Sequence, residues 1–72
     1  MDTAKLKYLL EVHGVSKPEL LGIQDWGVTT YYRKLSGESD WTLKEVNNLV
    51  VLGFSLTEII DIFFKDTVSF SV

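Results

Sequence analysis

The chain has 72 residues, no cysteine, one histidine and a formal net charge of −3, and 46% of its residues are apolar. These values describe one small globular domain and exclude a disulfide framework, a thiolate metal site and an intrinsically disordered chain. Charged residues interrupt the apolar runs near the amino terminus, and no segment reaches the roughly 18 apolar residues of a membrane span. We therefore expect a cytoplasmic protein with no signal peptide and no membrane partner.

The charge is unevenly distributed along the chain. Residues 1–37 contain five basic and four acidic side chains, whereas residues 38–72 contain two basic and six acidic ones. An autonomous DNA-binding domain usually shows a clear basic face, because neutralised phosphates dominate its affinity. The sequence predicts only a thin basic face, confined to the first half of the chain.

The first predicted helix covers residues 3–13, where Leu6, Leu9 and Leu10 recur at the three- and four-residue spacing of a buried helix face. Gly14 follows directly and can take the left-handed conformation that ends a helix. We expect this helix to contribute one side of the core.

Two short helices are predicted next, joined by a tight turn. Ser16 can cap a helix over residues 16–24, because its hydroxyl can accept a hydrogen bond from an N–H of the first turn. Residues 25–27 form the turn, and the third helix covers residues 28–36.

Two capping boxes predict the starts of the fourth and fifth helices. In each box a hydroxyl residue and the glutamate three positions later satisfy each other's backbone N–H groups. The pairs are Thr42 with Glu45 and Ser55 with Glu58, and the fifth helix should end at about residue 64. Along that helix, Ile62 and Phe64 lie off the predicted apolar stripe, which suggests a helix that a partner covers.

The predicted fold class is all-α, with five helices over residues 1–66 and a short extended tail over residues 67–72. The tail alternates polar and apolar residues with the period of a half-buried strand, so it is either a frayed end or half of an intermolecular contact. The side chains predicted to form the core are Leu6, Leu10, Val15, Leu20, Leu35, Leu43, Val46, Leu49, Leu56, Ile59 and Phe63.

The sequence offers no group of residues typical of catalysis. His13 has no second histidine or cysteine with which to form a metal site or a catalytic triad, and we expect it at a helix end, covering the edge of the core. Glu58 and Asp61 are expected to lie on a solvated face. We therefore predict a protein that is not an enzyme and that needs no cofactor, metal ion or small-molecule ligand.

The helices at 16–24 and 28–36, with the turn between them, have the helix-turn-helix arrangement, in which the first helix braces the second against DNA. Over residues 6–63 the chain resembles the small helix-turn-helix proteins of temperate phages, the Cro and repressor family. The segment "TYYRKLSG…WTLKEVNNL" is similar to the Cro-type proteins of phages from Gram-positive hosts. The resemblance implies a five-helix repressor-like domain that acts in the cytoplasm of a bacterial host.

The chain departs from this family at the turn and at the start of the second of these helices. Asp25 occupies a position that is usually glycine. Gly27 and Val28 stand where family members usually place Ser, Thr, Gln or a basic residue, and valine can offer a base only a methyl contact. Trp26 and Tyr31 match apolar positions and are expected to be mainly structural.

Five residues of the third helix remain as candidates for contact with a partner or with DNA: Val28, Thr29, Tyr32, Arg33 and Lys34. Arg33 and Lys34 suit phosphates. Val28 and Tyr32 are expected to lie on the surface, where an apolar residue, an aromatic ring and an arginine also suit a protein interface.

Two functions follow from the resemblance. One subgroup of the family, the modulator-of-repression proteins of lactococcal phage switches, binds the DNA-binding domain of the phage repressor, and the acidic balance and the Gly27-Val28 pair favour this antirepressor reading. The implied partner is the repressor's amino-terminal domain, with operator DNA as a further partner in company with the repressor. The alternative is a Cro-like transcriptional repressor that binds palindromic operator DNA directly as a dimer.

Overall fold

Residues 1–64 are described by the computed structural model, and they fold into five helices. This confirms the all-α prediction for the described residues, whereas the predicted tail over residues 67–72 lies outside them. None of the helices in this part of the chain is long and apolar enough to cross a membrane. The helices are α1 (Thr3–Val12), α2 (Lys17–Gln24), α3 (Val28–Ser36), α4 (Leu43–Val51) and α5 (Leu56–Ile59), and α5 continues as a π-helical segment (Ile60–Phe64).

The helix boundaries follow from local capping chemistry. The Asp2 side chain caps α1, the Ser16 side chain caps α2, and both predicted capping boxes are formed at α4 and α5. The turn between α2 and α3 places Asp25 in the left-handed region at φ 56°, a conformation that aspartate tolerates better than most residues. Gly37 ends α3 in the same region, at φ 84°.

The core lies where α1, the α2–α3 pair and α4 meet the last helix. Val15 and Phe63, which were predicted to be core residues, are partly buried and pack against it, and so do Trp26 and Tyr31, as expected. The buried apolar side chains are Leu6, Leu9, Leu10, Leu20, Leu35, Val46, Leu49, Phe54, Ile59 and Ile62.

The prediction that Leu43 belongs to the core is wrong, since 83% of this residue is exposed. The reason is the way α4 docks on α2. The side-chain amide of Gln24 donates to the Glu45 carbonyl at 2.8 Å, and the Asn48 amide donates to Gln24 Oε1 at 2.8 Å. These contacts turn α4 so that Val46 and the residues on its side of the helix face inward and Leu43 faces solvent.

The apolar stripe predicted for the last helix, Leu56, Ile59, Ile60 and Phe63, is right for Ile59 and Phe63 and wrong for the other two. Leu56 is 73% exposed, whereas Ile62, which lies off the predicted stripe, is fully buried. The helix docks on α1 by the side that carries Ile62, and the Asp2 N–H donates to the Ile62 carbonyl at 2.8 Å. The π-helical segment, with its wider turn, also breaks the regular helical spacing on which the prediction rested.

Candidate binding face

Four of the five candidate residues form one exposed strip along α3. Val28 and Tyr32 are one helical turn apart, and so are Thr29 and Arg33, so the four side chains share one side of the helix. Val28 is 53% exposed and Tyr32 is 57% exposed, as the sequence predicted, and the other two residues are also exposed. We call these four residues the outer face of α3.

Lys34, the fifth candidate, lies on the opposite side of α3 and is only 9% exposed. Its ammonium group donates to Glu45 Oε1 at 2.9 Å and to the carbonyl of Asp40. A buried ammonium needs such partners, because an unpaired charge away from water is costly. The structure thus removes Lys34 from the exposed strip and leaves Arg33 as the exposed cation of α3.

The carboxylate of Glu45 holds Lys34 in this position. Partial burial alone would raise the pKa of Glu45, but hydrogen bonds from Lys34, from the Thr42 N–H and from the Trp26 indole outweigh burial and lower that pKa. The Trp26 Nε1 donates to Glu45 Oε2 at 2.7 Å. Glu45 therefore stays ionised at neutral pH and keeps Lys34 turned away from the outer face.

Tyr32 is held in place from the neighbouring helix. Lys17, at the start of α2, donates from Nζ to the Tyr32 hydroxyl at 2.8 Å, and the same Nζ lies 4.6 Å from the centre of the Tyr32 ring. The ring also meets Tyr31 edge-to-face, with centroids 5.2 Å apart. Sequence reasoning missed Lys17, because no local spacing indicates which tyrosine a lysine on another helix will reach.

The start of α3 is open. Gly27 is the N-cap residue and provides no side-chain hydrogen bond, whereas the other four helices of the described chain are each capped by a side chain. The first N–H groups of α3 therefore have no capping side chain, and Gly27, Val28 and Thr29 are all exposed there. A carbonyl or carboxylate of a partner can accept hydrogen bonds at this end of the outer face.

No family model, no curated protein and no solved structure matches this chain. We therefore infer a function from the chemistry of the outer face itself. That face combines an apolar residue, an aromatic ring, a hydroxyl and one guanidinium on a helix whose other side is anchored in the domain.

Proposed function

We propose that this chain is a helix-turn-helix regulator of a phage genetic switch, an antirepressor that binds the DNA-binding domain of the phage repressor. The outer face of α3 would make the contact and thereby block or alter operator binding. One observation carries the proposal: α3 exposes Val28 and Tyr32 while its second cation, Lys34, is buried against Glu45.

The exposure of two apolar or aromatic side chains and the burial of one cation favour a protein partner over a phosphate backbone. A DNA-reading helix gains affinity from each phosphate that its cations neutralise and gains specificity from side chains that bond base edges. The outer face has one arginine that could neutralise a phosphate. Its valine occupies the position at which a DNA-binding helix would carry a side chain that hydrogen-bonds a base edge. Aromatic residues and arginine are enriched among the residues that dominate protein–protein binding energies.

The net charge of the whole chain supports this partner at long range, although the outer face itself carries the positive charge of Arg33. The reading surface of a repressor is basic, because it meets DNA, and this chain carries a net charge of −3. Opposite charges speed the encounter of two proteins and disfavour wrong partners. A complex formed there would cover the helix that the repressor needs for its operator, so masking requires no catalytic step.

The experiment is a titration of the repressor's amino-terminal domain into the wild-type protein and two matched variants. Val28→Asp changes the outer face at the first residue of α3. Leu43→Asp makes the same kind of change at the first residue of α4, which is exposed and does not belong to the outer face. An aspartate suits the first turn of either helix, so both variants should stay folded, which circular dichroism will check.

We expect Val28→Asp to weaken binding at least about ten-fold and Leu43→Asp to leave it unchanged. Equal affinity of all three proteins would mean that the contact lies elsewhere on the domain.

The second candidate function is direct operator binding as a Cro-like dimer. Exposed Arg33 and the uncapped start of α3 favour it, because phosphates bind well at helix N-termini. A gel shift with the protein alone separates the two functions. A tight operator complex at physiological salt would support the Cro-like function, whereas weak binding with a shallow salt dependence is expected of an antirepressor.

A further inference from the structure

A groove of about 830 Å³ lies between α1, the start of α2 and α3. The buried side chains of Leu10, Leu20 and Leu35 contribute to its lining, so its inner surface is largely apolar. Sequence reasoning did not find this groove, because it exists only where α1 packs on α3. Its size falls within the range of about 300–1,000 Å³ that is usual for binding pockets, and it exceeds the space that one side chain needs.

The groove is continuous with the outer face of α3. Thr29, Tyr32 and Arg33 belong to both: they form the exposed strip and they also line the groove. A partner that covers the outer face therefore also reaches the groove. The proposed contact thus extends from a single helix to the cleft beside it.

The charges at the groove are of both signs. Lys7 and Glu11 lie one turn apart on α1. On the opposite wall, Arg33 belongs to α3 and Glu38 follows the end of that helix. The two carboxylates balance the two cations, so the groove has no net charge that would attract a phosphate backbone, and most of its lining is apolar. An amphipathic helix, with apolar side chains flanked by residues of both charges, matches the lining.

We propose that the groove receives apolar side chains of an amphipathic helix from the repressor's DNA-binding domain. This inference rests on the proposed function and adds to it a second element of the contact, the α1 wall. The outer face of α3 binds one part of the partner's surface, and the groove buries its apolar anchors. Fully desolvated anchors in a pocket carry much of the energy of a protein interface, so obstruction of the groove should matter as much as a change on α3.

The test uses thiol labelling, because the chain contains no cysteine and a single introduced thiol is a unique attachment point. Lys7→Cys and Glu11→Cys place a bulky maleimide fluorophore on the α1 wall. Val12→Cys is the matched control: Val12 is adjacent to Glu11 in sequence and exposed, but it does not line the groove and points at least about 100° away from both labelled positions around the helix. Circular dichroism of each labelled protein checks the fold.

We expect the label at Lys7 or Glu11 to weaken binding of the repressor's amino-terminal domain at least about ten-fold, and the label at Val12 to leave the affinity unchanged. Val28→Asp, measured in parallel, separates the two proposals. If Val28→Asp weakens binding and the groove labels do not, the groove proposal is wrong and the proposed function stands.

If neither Val28→Asp nor the labels affect binding, both the proposed function and the groove proposal are wrong. The labelled proteins are also sedimented alone. If unlabelled protein self-associates and a groove label abolishes that association, a second copy of this chain occupies the groove and the inference is overturned.

Discussion

The same four-residue motif begins α4 and α5, and the two copies have nearly the same local geometry. In the first box the Thr42 N–H donates to Glu45 Oε1 at 2.8 Å, and in the second the Ser55 N–H donates to Glu58 Oε1 at 2.9 Å. The return bonds, from each glutamate N–H to the hydroxyl oxygen, are both 3.2 Å long. The boxes differ in what else each glutamate binds.

Glu45 of the first box also accepts hydrogen bonds from Lys34 and from the Trp26 indole, so one carboxylate joins the α2–α3 turn, α3 and α4. Glu58 of the second box accepts from His13 Nε2 at 2.9 Å, which joins the end of α1 to α5, and the His13 ring stacks on Phe54. A local cap can therefore also serve as a tertiary link. The first link shapes the outer face of α3, and the second only joins helices.

The largest loss of stability is expected from a large-to-small substitution in the core, on the helix that the first box begins. Leu49 of α4 is fully buried. Leu49→Ala should lower the free energy of unfolding by about 2–5 kcal/mol, through lost apolar burial and the cavity left behind. Urea denaturation measures this loss, which sets the scale against which changes in the two boxes are compared. An unmoved midpoint would contradict the position assigned to this leucine.

The next largest effect should come from Glu45→Gln, which neutralises the link of the first box. Lys34 would keep a buried charge without its carboxylate, and we expect a loss of about 2–3 kcal/mol by urea denaturation. Adding Lys34→Met removes the unpaired charge, so the double variant should recover most of the loss. If the double variant is less stable than Glu45→Gln alone, Lys34 does not depend on Glu45.

Glu58→Gln is the matching change in the second box, and it should cost less than Glu45→Gln. Its partner His13 is partly exposed, and a glutamine oxygen can still accept from the Ser55 N–H. Parallel urea titrations of the two variants measure the difference. Equal losses would mean that the two boxes contribute equally to stability.

The smallest effect is expected in the dependence of stability on pH. The Ser55 N–H and His13 lower the pKa of Glu58, and the pKa of Glu45 is lowered as well, in both cases below the ordinary value of 4.5. A carboxylate with a lowered pKa stabilises the folded state above its unfolded pKa, and this stabilisation is lost as the pH falls through the folded pKa.

Stability should therefore decline below about pH 4.5, and each Glu→Gln variant should show a shallower decline than the wild type. Thermal unfolding across that pH range measures the slope. A slope in Glu45→Gln as steep as in the wild type would show that this carboxylate does not contribute to it.

Much of the fold could be predicted from local sequence, and less of the candidate site. The five helices and both capping boxes were predicted from residues close together in the chain, and the exposure of Val28 and Tyr32 was predicted from the likeness of the α2–α3 segment to a known motif. The burial of Lys34 could not be predicted, because its partner Glu45 lies on another helix. The groove beside α3 could not be predicted either, because its walls come from helices that are distant in the chain.

The sequence by itself determined where helices start and stop, since a cap or a glycine acts on backbone groups only a few residues away. The tertiary structure alone decided how α4 and the last helix are rotated about their axes. Polar contacts between α2 and α4 turn Leu43 outward, and the docking of the last helix on α1 turns Ile62 inward. Helical spacing identifies residues that share a side, but the orientation of that side depends on partners distant in the chain.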